Sequence, residues 1–298
     1  MTKQVTKRIA SLRNDYHEGV NDLEQIGDIG AEARKALVEK AESMEYDHWA
    51  DTPEKGRFYD VFRTRKGISR PIRRDLFIAD QEEFQSLWKE LTSDVPEGVG
   101  SLNHDRLGSI LYTCQQSVAA FYDLFQPSQK PPGTFFEIMV GSLAAHISGL
   151  KRKAQIKLPR EGYRVTTDVV IELQEGGPGI VFPCKITTRE RIVQVFAHQR
   201  LLDSVFGEGT YPSVLTCVSE TQLDKKKGKV KEICVPIQVE IFQKYLAKLE
   251  GLYYLDPPAV YVEAGFAKPG FRPRLPVKNL ATLFSEDLTR IVNQLNTG

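Results

Sequence analysis

The sequence predicts an α/β (α+β) protein with a mixed central sheet flanked by helices and a mostly helical N-terminal region. Two β-branched runs, RVTTDVVIEL and IVFPCKIT, are separated by QEGGPG and form a hairpin pattern. The stretch RERIVQVFAHQRLLDSVF then returns to helical spacing, with its apolar residues on one face. The chain has 298 residues, of which 41% are hydrophobic, so it can bury a sizeable core.

Helical spacing dominates the N-terminal third of the chain. IGAEARKALVEKAESM and DQEEFQSLWKEL both show it, so residues 1–95 are predicted to be mostly helical, and a resemblance described below implies that they form a DNA-embracing arm. The segment 93–101, SDVPEGVGS, contains Pro and Gly and marks the boundary with a core over residues 96–298. Two buried helices are predicted to follow, RLGSILYTCQQSVAAFYDLF and TFFEIMVGSLAAHISGL, the second capped by Thr134.

Short strands and helices are predicted to complete the core after the hairpin and its helix. The strand patterns are PSVLTCVS, EICVPIQ and PAVYVE, and the helical patterns are VEIFQKYLAKL and SEDLTRIVNQL. Alternation of strands with helices favours a mixed sheet over a helical bundle.

Bulk composition excludes several classes of protein. The net charge is +1, which does not fit a globally basic nucleic-acid coat protein, although local basic patches remain compatible with it. Four cysteines are scattered without a CxxC pair, which is typical of a reduced cytosolic protein. No run of about 18 apolar residues and no secretory signal are present.

One basic segment is dense enough to suggest a partner. Residues 55–74 contain eight Lys and Arg residues, Arg57, Arg63, Arg65 and Lys66 among them, interleaved with Phe58, Tyr59 and Phe62. Cations beside aromatic rings suit a segment that follows nucleic-acid phosphates. A second cluster, DKKKGKVK at 224–231, is interpreted as a solvated loop.

The hairpin carries the residues that indicate chemistry. Asp168 lies on the first strand and Lys185 on the second, and neighbouring strands are about 5 Å apart, so both side chains can point to one face. A carboxylate that holds Mg²⁺ beside a lysine that positions a water molecule suits phosphodiester hydrolysis. An ion pair on a sheet surface is the commoner explanation of such a pair.

These residues resemble the PD-(D/E)xK nuclease superfamily, with Thr167-Asp168 on one strand and Pro183-Cys184-Lys185 on the next. Pro183 stands where that superfamily usually has a second acid. The following TTRERI resembles the CCGG family of type II restriction endonucleases, and its Arg-Glu-Arg form resembles the branch that recognises CC and GG around an unrecognised base. The resemblance implies a restriction-endonuclease-like core, Mg²⁺, double-stranded DNA as partner, and a homodimer or tetramer from a restriction-modification system of the bacterial cytoplasm.

Arg189, Glu190 and Arg191 are the candidate base-recognition residues. Arginine donates two hydrogen bonds to guanine O6 and N7, and glutamate accepts one from the cytosine amino group, so this triplet suits neighbouring G·C pairs. The spacing Thr187-x-x-Glu190 also matches a helix capping box, which explains Glu190 but neither arginine.

The family's relocated acid is missing from this chain. It would fall 13 or 14 positions after Lys185, where His198 and Gln199 stand. Gln199 could offer its carbonyl oxygen to the metal or contact it through water, whereas His198 is interpreted as a core histidine and a poor Mg²⁺ ligand. Glu137, three positions after Thr134, is the family-implied second metal ligand, and Glu172, on the strand face of Asp168, is an outside candidate.

Three functions are therefore compatible with the sequence. The favoured one is a homodimeric Mg²⁺-dependent endonuclease that cuts both strands of a palindromic, G·C-rich site containing CCGG or CCNGG. The alternatives are a structure-specific repair or junction nuclease of the same fold, and a non-catalytic DNA-binding protein with Asp168 and Lys185 as a structural ion pair. No GxxxxGK[ST] stretch is present, so no ATP-driven motor is expected.

Overall fold

The computed structural model describes residues 2–47, 57–65, 67–93, 99–126, 128, 130–159, 162–189, 191–262 and 275–297. By packing, the chain forms two units. The first unit is Met1–Met139 with Glu220–Ile233, and the second unit is Val140–Ser219 with Cys234–Gly298. The predicted division near residue 95 concerned a DNA-embracing arm and stays a prediction, and most of the predicted boundary loop lies outside the described residues.

The helices are numbered in chain order. They are α1 (Thr2–His17), α2 (Leu23–Lys40), α3 (Gln81–Ser93), α4 (His104–Phe125), α5 (Pro131–Ser148), α6 (Ile192–Phe206), α7 (Pro236–Tyr245), α8 (Ala259–Val262), α9 (Leu280–Thr282) and α10 (Leu288–Thr297). A single 3₁₀ turn spans Arg74–Leu76, and a π-helical turn, Leu283–Asp287, joins α9 to α10.

The strands are numbered in the same way. They are β1 (Glu42–Asp47), β2 (Phe58–Thr64), β3 (Gly67–Ile68), β4 (Ile72–Arg73), β5 (Arg152–Lys157), β6 (Arg164–Glu172), β7 (Gly179–Phe182), β8 (Cys184–Lys185), β9 (Val214–Ser219), β10 (Thr221–Asp224), β11 (Lys229–Glu232), β12 (Gly251–Asp256) and β13 (Val277–Asn279).

Close helix packing organises the first unit. Gly27 lets the Trp88 ring approach α2, since a Cβ added at Gly27 would lie 2.1 Å from that ring. The Trp88 indole also donates a hydrogen bond to the Leu23 carbonyl at 2.9 Å, so Trp88 is a packing residue.

The N-terminal region is less helical than predicted. Strand β2 pairs antiparallel with β1, β3 and β4 in a four-stranded sheet of the first unit. The reason lies in the first four residues of FYDVFRT, where Tyr59 and Val61 are buried while Phe58 is exposed and Asp60 is half-buried. This alternation has the period of two that a half-buried strand requires.

A mixed sheet forms the centre of the second unit, as predicted. Strands β5, β6 and β7 are antiparallel neighbours, and β8, β9, β12 and β13 are parallel neighbours. The two groups are joined by the parallel bridge between Val181 and Ser213, and by the chain itself at Pro183. Helices α6 and α7 pack against β9 and β12 through a core that includes Phe196, Leu215 and Leu252.

Three predicted elements differ from the structure. EICVPIQ is the end of β11 and the start of α7, and Pro236 is the first residue of that helix, a position that suits proline. PAVYVE is the short helix α8 rather than a strand, and the strand of this region is the preceding GLYYLD. All six residues of that strand are buried, so it shows no alternation, as is usual in parallel sheets. Helix α5 begins at Pro131, before the predicted cap Thr134.

Candidate active site

Asp168 lies on β6 at a point where that strand bulges. Gln155 pairs with Thr166 and Lys153 pairs with Val170, so three residues of β6 face a single residue of β5. Extra residues of this kind bend a strand and redirect its side chains, and they are frequent beside active sites. The bulge therefore decides where the carboxylate of Asp168 points.

The neighbouring strand is also irregular at the same level. Pro183, which has no N–H, separates β7 from β8, and its carbonyl accepts a hydrogen bond from the Thr216 amide at 2.9 Å. The Cys184 amide turns towards β6 and donates to Asp168 Oδ2 at 2.8 Å. Pro183 thus ends one strand and lets the next residues contact Asp168.

Lys185 Nζ donates to the same Asp168 oxygen at 2.5 Å. The exposed fraction of the side chain is 16% for Lys185 and 27% for Asp168, so solvent and a ligand can still reach the pair. Asp168 Oδ1 accepts no hydrogen bond from the described residues, which leaves one carboxylate oxygen free to bind a cation. The predicted juxtaposition of carboxylate and ammonium is present.

A cavity of about 170 Å³ opens over this pair. It lies between β6, the β7–β8 segment and α6, and its lining consists of Thr166, Thr167, Asp168, Pro183, Lys185, Gln194, Val195 and His198. A cavity of this size with a carboxylate and an ammonium group in its lining suits a hydrated ion or a phosphate oxygen rather than a large organic ligand.

His198 is a site residue that sequence reasoning placed in the core. It follows Gln194 by four positions on α6, so one face of that helix brings both side chains to the cavity. Burial lowers the pKa of His198, nearby Lys185 lowers it further, and Asp168 opposes both effects. Its Nε2 atom is buried and has no hydrogen-bond partner among the described residues.

Gln199 lies in a different environment from the one expected of a metal ligand. Its side-chain amide donates to Asp203 Oδ1 at 2.8 Å and to the Tyr211 carbonyl at 3.1 Å. Gln199 is buried on the core face of α6, about 100° around the helix from His198. Its Oε1 atom is buried without a hydrogen-bond partner among the described residues, and Gln199 does not line the cavity as its neighbour His198 does. A role of Gln199 at the metal stays a prediction.

The two glutamates considered as metal ligands lie in different surroundings. Glu172 is buried, accepts from Lys153 Nζ at 2.6 Å, and accepts from the Tyr211 hydroxyl at 3.0 Å. Glu137 lies on α5 in the first unit, where its main-chain carbonyl, rather than its carboxylate, accepts from the Tyr16 hydroxyl at 3.5 Å. Asp168 belongs to the second unit, so the role of Glu137 at the metal stays a prediction.

The base-recognition candidates stand at the start of α6. Arg189 and Arg191 are both exposed, and Glu190 lies outside the described residues. The turn is anchored by the Thr188 carbonyl, which accepts from the amides of Arg191 at 3.1 Å and Ile192 at 2.9 Å. Helix α6 begins at Ile192, and its N-cap residue Arg191 makes no side-chain capping hydrogen bond. Glu190, which the capping box Thr187-x-x-Glu190 requires, lies outside the described residues, so the capping box stays a prediction.

The basic segment of the first unit divides into two groups. Arg57 is buried and its Nη1 atom lies 3.4 Å from Glu232 Oε1, an environment that favours a structural ion pair over a phosphate contact. Arg63 and Arg65 are exposed on and after β2. Lys66, the fourth candidate, lies outside the described residues.

Metal-binding potential is limited to few protein ligands. Among the described residues, no group of three or more His, Cys, Asp or Glu side chains could hold a metal ion. Mg²⁺ usually keeps several waters and needs only one or two carboxylates plus substrate phosphates.

In the described part of the chain, no helix is long and apolar enough to cross a membrane.

The fold and this pair together define a restriction-endonuclease core: a mixed sheet flanked by helices, with Asp and Lys meeting beside a small cavity where two strands become irregular. No family model and no curated protein matches the sequence. Among solved structures, the type IIP restriction endonuclease Kpn2I matches with a TM-score of 0.82 and 30% identity over 99% of each chain.

The chain therefore belongs to the type IIP restriction endonucleases, which are site-specific deoxyribonucleases. This membership confirms the predicted fold class and the predicted type II restriction endonuclease. A complex of the restriction endonuclease PspGI with substrate DNA also matches, over 72% of this chain and 93% of that chain. Its TM-score is 0.46 and its identity 11%, so that second likeness adds nothing to the assignment.

Proposed function

We propose that this enzyme hydrolyses DNA phosphodiesters in a divalent-metal-dependent reaction at a palindromic, G·C-rich site containing CCGG or CCNGG, and that it cuts both strands. The observation that carries the proposal is the contact of Lys185 Nζ with Asp168 Oδ2 at the cavity. Membership of an endonuclease family favours this function over a non-catalytic DNA-binding protein, in which the same pair would be structural.

Asp168 is the residue that would hold the cation, Mg²⁺ in the simplest case. The fit is supported by its free Oδ1 atom and by a lining of small polar side chains that leaves room for water. A bound divalent ion supplies Lewis-acid polarisation of a phosphate oxygen and water that is easier to deprotonate. Asp168 also holds Lys185 in position through the shared Oδ2 atom.

In this proposal, Lys185 stabilises negative charge and positions a water molecule. Its ammonium group is mostly shielded from solvent, so its interaction with a nearby phosphate is stronger than it would be in bulk water. It orients the attacking water and stabilises the negative charge that develops on phosphorus oxygens. Once DNA is bound, Nζ can donate a hydrogen bond either to Asp168 or to the phosphate. This position between two acceptors places the ammonium beside the reacting bond.

Arg189, Glu190 and Arg191 are proposed to recognise the G·C pairs. The two arginines are exposed and lie within six residues of Lys185, at the end of the segment that leaves β8. Recognition and cleavage residues thus share one short stretch of chain. The exposed Arg63 and Arg65, together with Lys66, are proposed to contact phosphates, whereas Arg57 is left out of this set because it is buried in an ion pair.

Removing either arginine should weaken specific cleavage. We expect Arg189→Ala and Arg191→Ala each to lower kcat/KM on the mapped site by about 10- to 100-fold, the value of one bidentate contact to guanine. Binding to unrelated duplex should fall much less, because phosphate contacts do not depend on sequence. Steady-state cleavage and fluorescence anisotropy measure the two quantities.

Arg200→Ala is the matched control, since Arg200 is an exposed arginine later on the same helix. It should behave as the unaltered enzyme does in both assays. Equal losses on specific and unrelated DNA in the Arg189 and Arg191 variants would show that these arginines contact only the backbone.

A homodimer is proposed because a palindromic site requires two copies of one recognition element related by a twofold axis. The surface of the second unit supports this. Helices α6 and α7 each expose an apolar residue at every fourth position. These residues are Val193, Ala197, Leu201 and Val205 on α6, and Ile237, Ile241 and Tyr245 on α7. Exposed apolar stripes of this kind mark protein–protein contact sites.

Placing a charge in the α6 stripe should disrupt the dimer. Leu201 is 43% exposed, so Leu201→Glu leaves the fold of the subunit intact while it introduces an unpaired charge into the proposed interface. We expect dimer affinity to fall by about 10- to 100-fold, equivalent to about 1.4–2.8 kcal/mol. Sedimentation velocity over a concentration series measures the change.

Asn293→Glu adds the same charge to an exposed position of a different helix, α10, and serves as control. Dimers that persist in Leu201→Glu would place the interface elsewhere on the molecule.

The proposed function as a whole is tested by digesting a sequenced plasmid with the enzyme and Mg²⁺ and mapping the fragment ends. Discrete bands whose ends share a CCGG or CCNGG core are the expected result. A smear, or cleavage confined to branched or mismatched substrates, would instead support the structure-specific nuclease. Uncut DNA with every divalent ion would overturn both.

A further inference from the structure

The cavity over Asp168 contains one acid where a two-carboxylate metal site would have two. Of its other lining residues, Thr166, Thr167, Pro183 and Val195 offer no strong metal ligand, and Gln194 is exposed. His198 is the remaining side chain with a lone pair that binds divalent ions well. The second protein ligand to the metal is therefore a histidine nitrogen, or the site has no second protein ligand.

Two observations distinguish His198 from a satisfied core residue. It lines the cavity beside Asp168. Its Nε2 atom is buried and has no hydrogen-bond partner among the described residues, which is costly for a polar atom unless something binds there. The charged groups that share its cavity are Asp168 and Lys185.

We propose that His198 is the second protein donor to the divalent ion in this enzyme, and that the site consequently binds Mn²⁺ and Co²⁺ better than Mg²⁺. Mg²⁺ is a hard ion that strongly prefers oxygen, whereas imidazole binds first-row transition ions with affinity that rises from Mn²⁺ towards Co²⁺ and Ni²⁺. The inference rests on the proposed function, because it concerns the ion that Asp168 would hold.

The neighbouring Gln199 does not line the cavity. Its amide nitrogen is held in the core by Asp203 and the Tyr211 carbonyl. In this chain, a histidine therefore stands in place of the relocated acid of the family. Of positions 198 and 199, it occupies the one that faces Asp168.

Pulsed electron paramagnetic resonance of Mn²⁺ added to the full-length protein tests the donor directly. We expect modulation from a directly bound imidazole nitrogen in the unaltered protein and in His146→Ala, which removes an exposed histidine from α5. The modulation should be lost in His198→Ala and in His198→Asn, which keeps a polar group in the cavity should alanine unfold the protein. Persistence of the nitrogen signal in a folded His198 variant would overturn the proposal.

A second measurement tests the selectivity. His198→Glu supplies the missing carboxylate, so the ratio of Mn²⁺ to Mg²⁺ binding constants should fall by about 10-fold or more, the usual scale for a change of metal ligand. An unchanged ratio would overturn the inference.

The two proposals fail in different ways. Cleavage in Mg²⁺ with no nitrogen signal at Mn²⁺ would leave the proposed endonuclease intact and remove His198 from the metal. A His198-dependent nitrogen signal in a protein that cuts no DNA with any ion would do the reverse.

Discussion

Replacing Lys185 with alanine should reduce the rate of DNA cleavage by about 1,000-fold, the scale of losing one positioned proton-transfer or charge-stabilising group. The loss is expected in kcat, because the proposed role of Lys185 is at the reacting phosphate and water rather than at the bases. Binding of DNA should be retained, since the arginines at the start of α6 are unchanged. Single-turnover cleavage and anisotropy-based binding with Ca²⁺ measure the two effects.

Lys153→Ala is the matched control for this experiment. Lys153 is another lysine of the same sheet that pairs with a carboxylate, since its Nζ atom lies 2.6 Å from Glu172 Oε2. Removing it takes away an ion pair but no cavity residue, so cleavage should stay within about 3-fold of the unaltered rate, as for most partly exposed pairs. Equal losses in both variants would mean that the Lys185–Asp168 contact serves stability alone.

Asp168→Asn should abolish cleavage to a similar extent and weaken metal binding as well. Asparagine has the size of aspartate and can still accept a hydrogen bond from the Cys184 amide, so the bulge of β6 should remain. What is lost is the negative charge that holds both the cation and the Lys185 ammonium. Isothermal titration of Mn²⁺ and the cleavage assay together should show a loss of at least about 100-fold in rate.

Glu172→Gln distinguishes the role of Glu172 from that of Asp168, the other acid of β6. Glu172 is buried between Lys153 and Tyr211, so its replacement should destabilise the protein by about 1–3 kcal/mol, the cost of leaving buried partners unpaired. A lower Tm with cleavage retained is the expected outcome. Cleavage lost in Glu172→Gln at temperatures where the protein is folded would restore Glu172 as a metal ligand.

The sequence was informative where local pattern and tertiary structure agree. The hairpin around QEGGPG and the helix after it could be located because β-branched runs, glycines and helical spacing all indicate the same elements. Strand β12 could not be found in this way, because a strand buried on both faces has no polar alternation. The small sheet of the N-terminal region was missed because its strands are short and follow a strongly helical segment.

The site was predictable to the extent that it depends on strand pairing. Asp168 and Lys185 could be placed together because neighbouring strands lie at a fixed distance. The sequence could not show which of His198 and Gln199 lines the cavity. That depends on the rotation of α6 against the sheet and on the hydrogen bond of Gln199 to Tyr211. The buried ion pair of Arg57 likewise involves Glu232, 175 positions away in sequence.

The anchoring of the segment between β8 and α6 has a consequence for how this enzyme can acquire a new target. The Ser219 amide donates to the Ile186 carbonyl at 3.2 Å, and the Thr188 carbonyl anchors the next turn, so Lys185 and the two arginines belong to one hydrogen-bonded segment. Given the roles proposed for these residues, mutations that change which bases are preferred will also disturb turnover. We expect drift towards new sequences to proceed by remodelling whole segments rather than by gradual single substitutions.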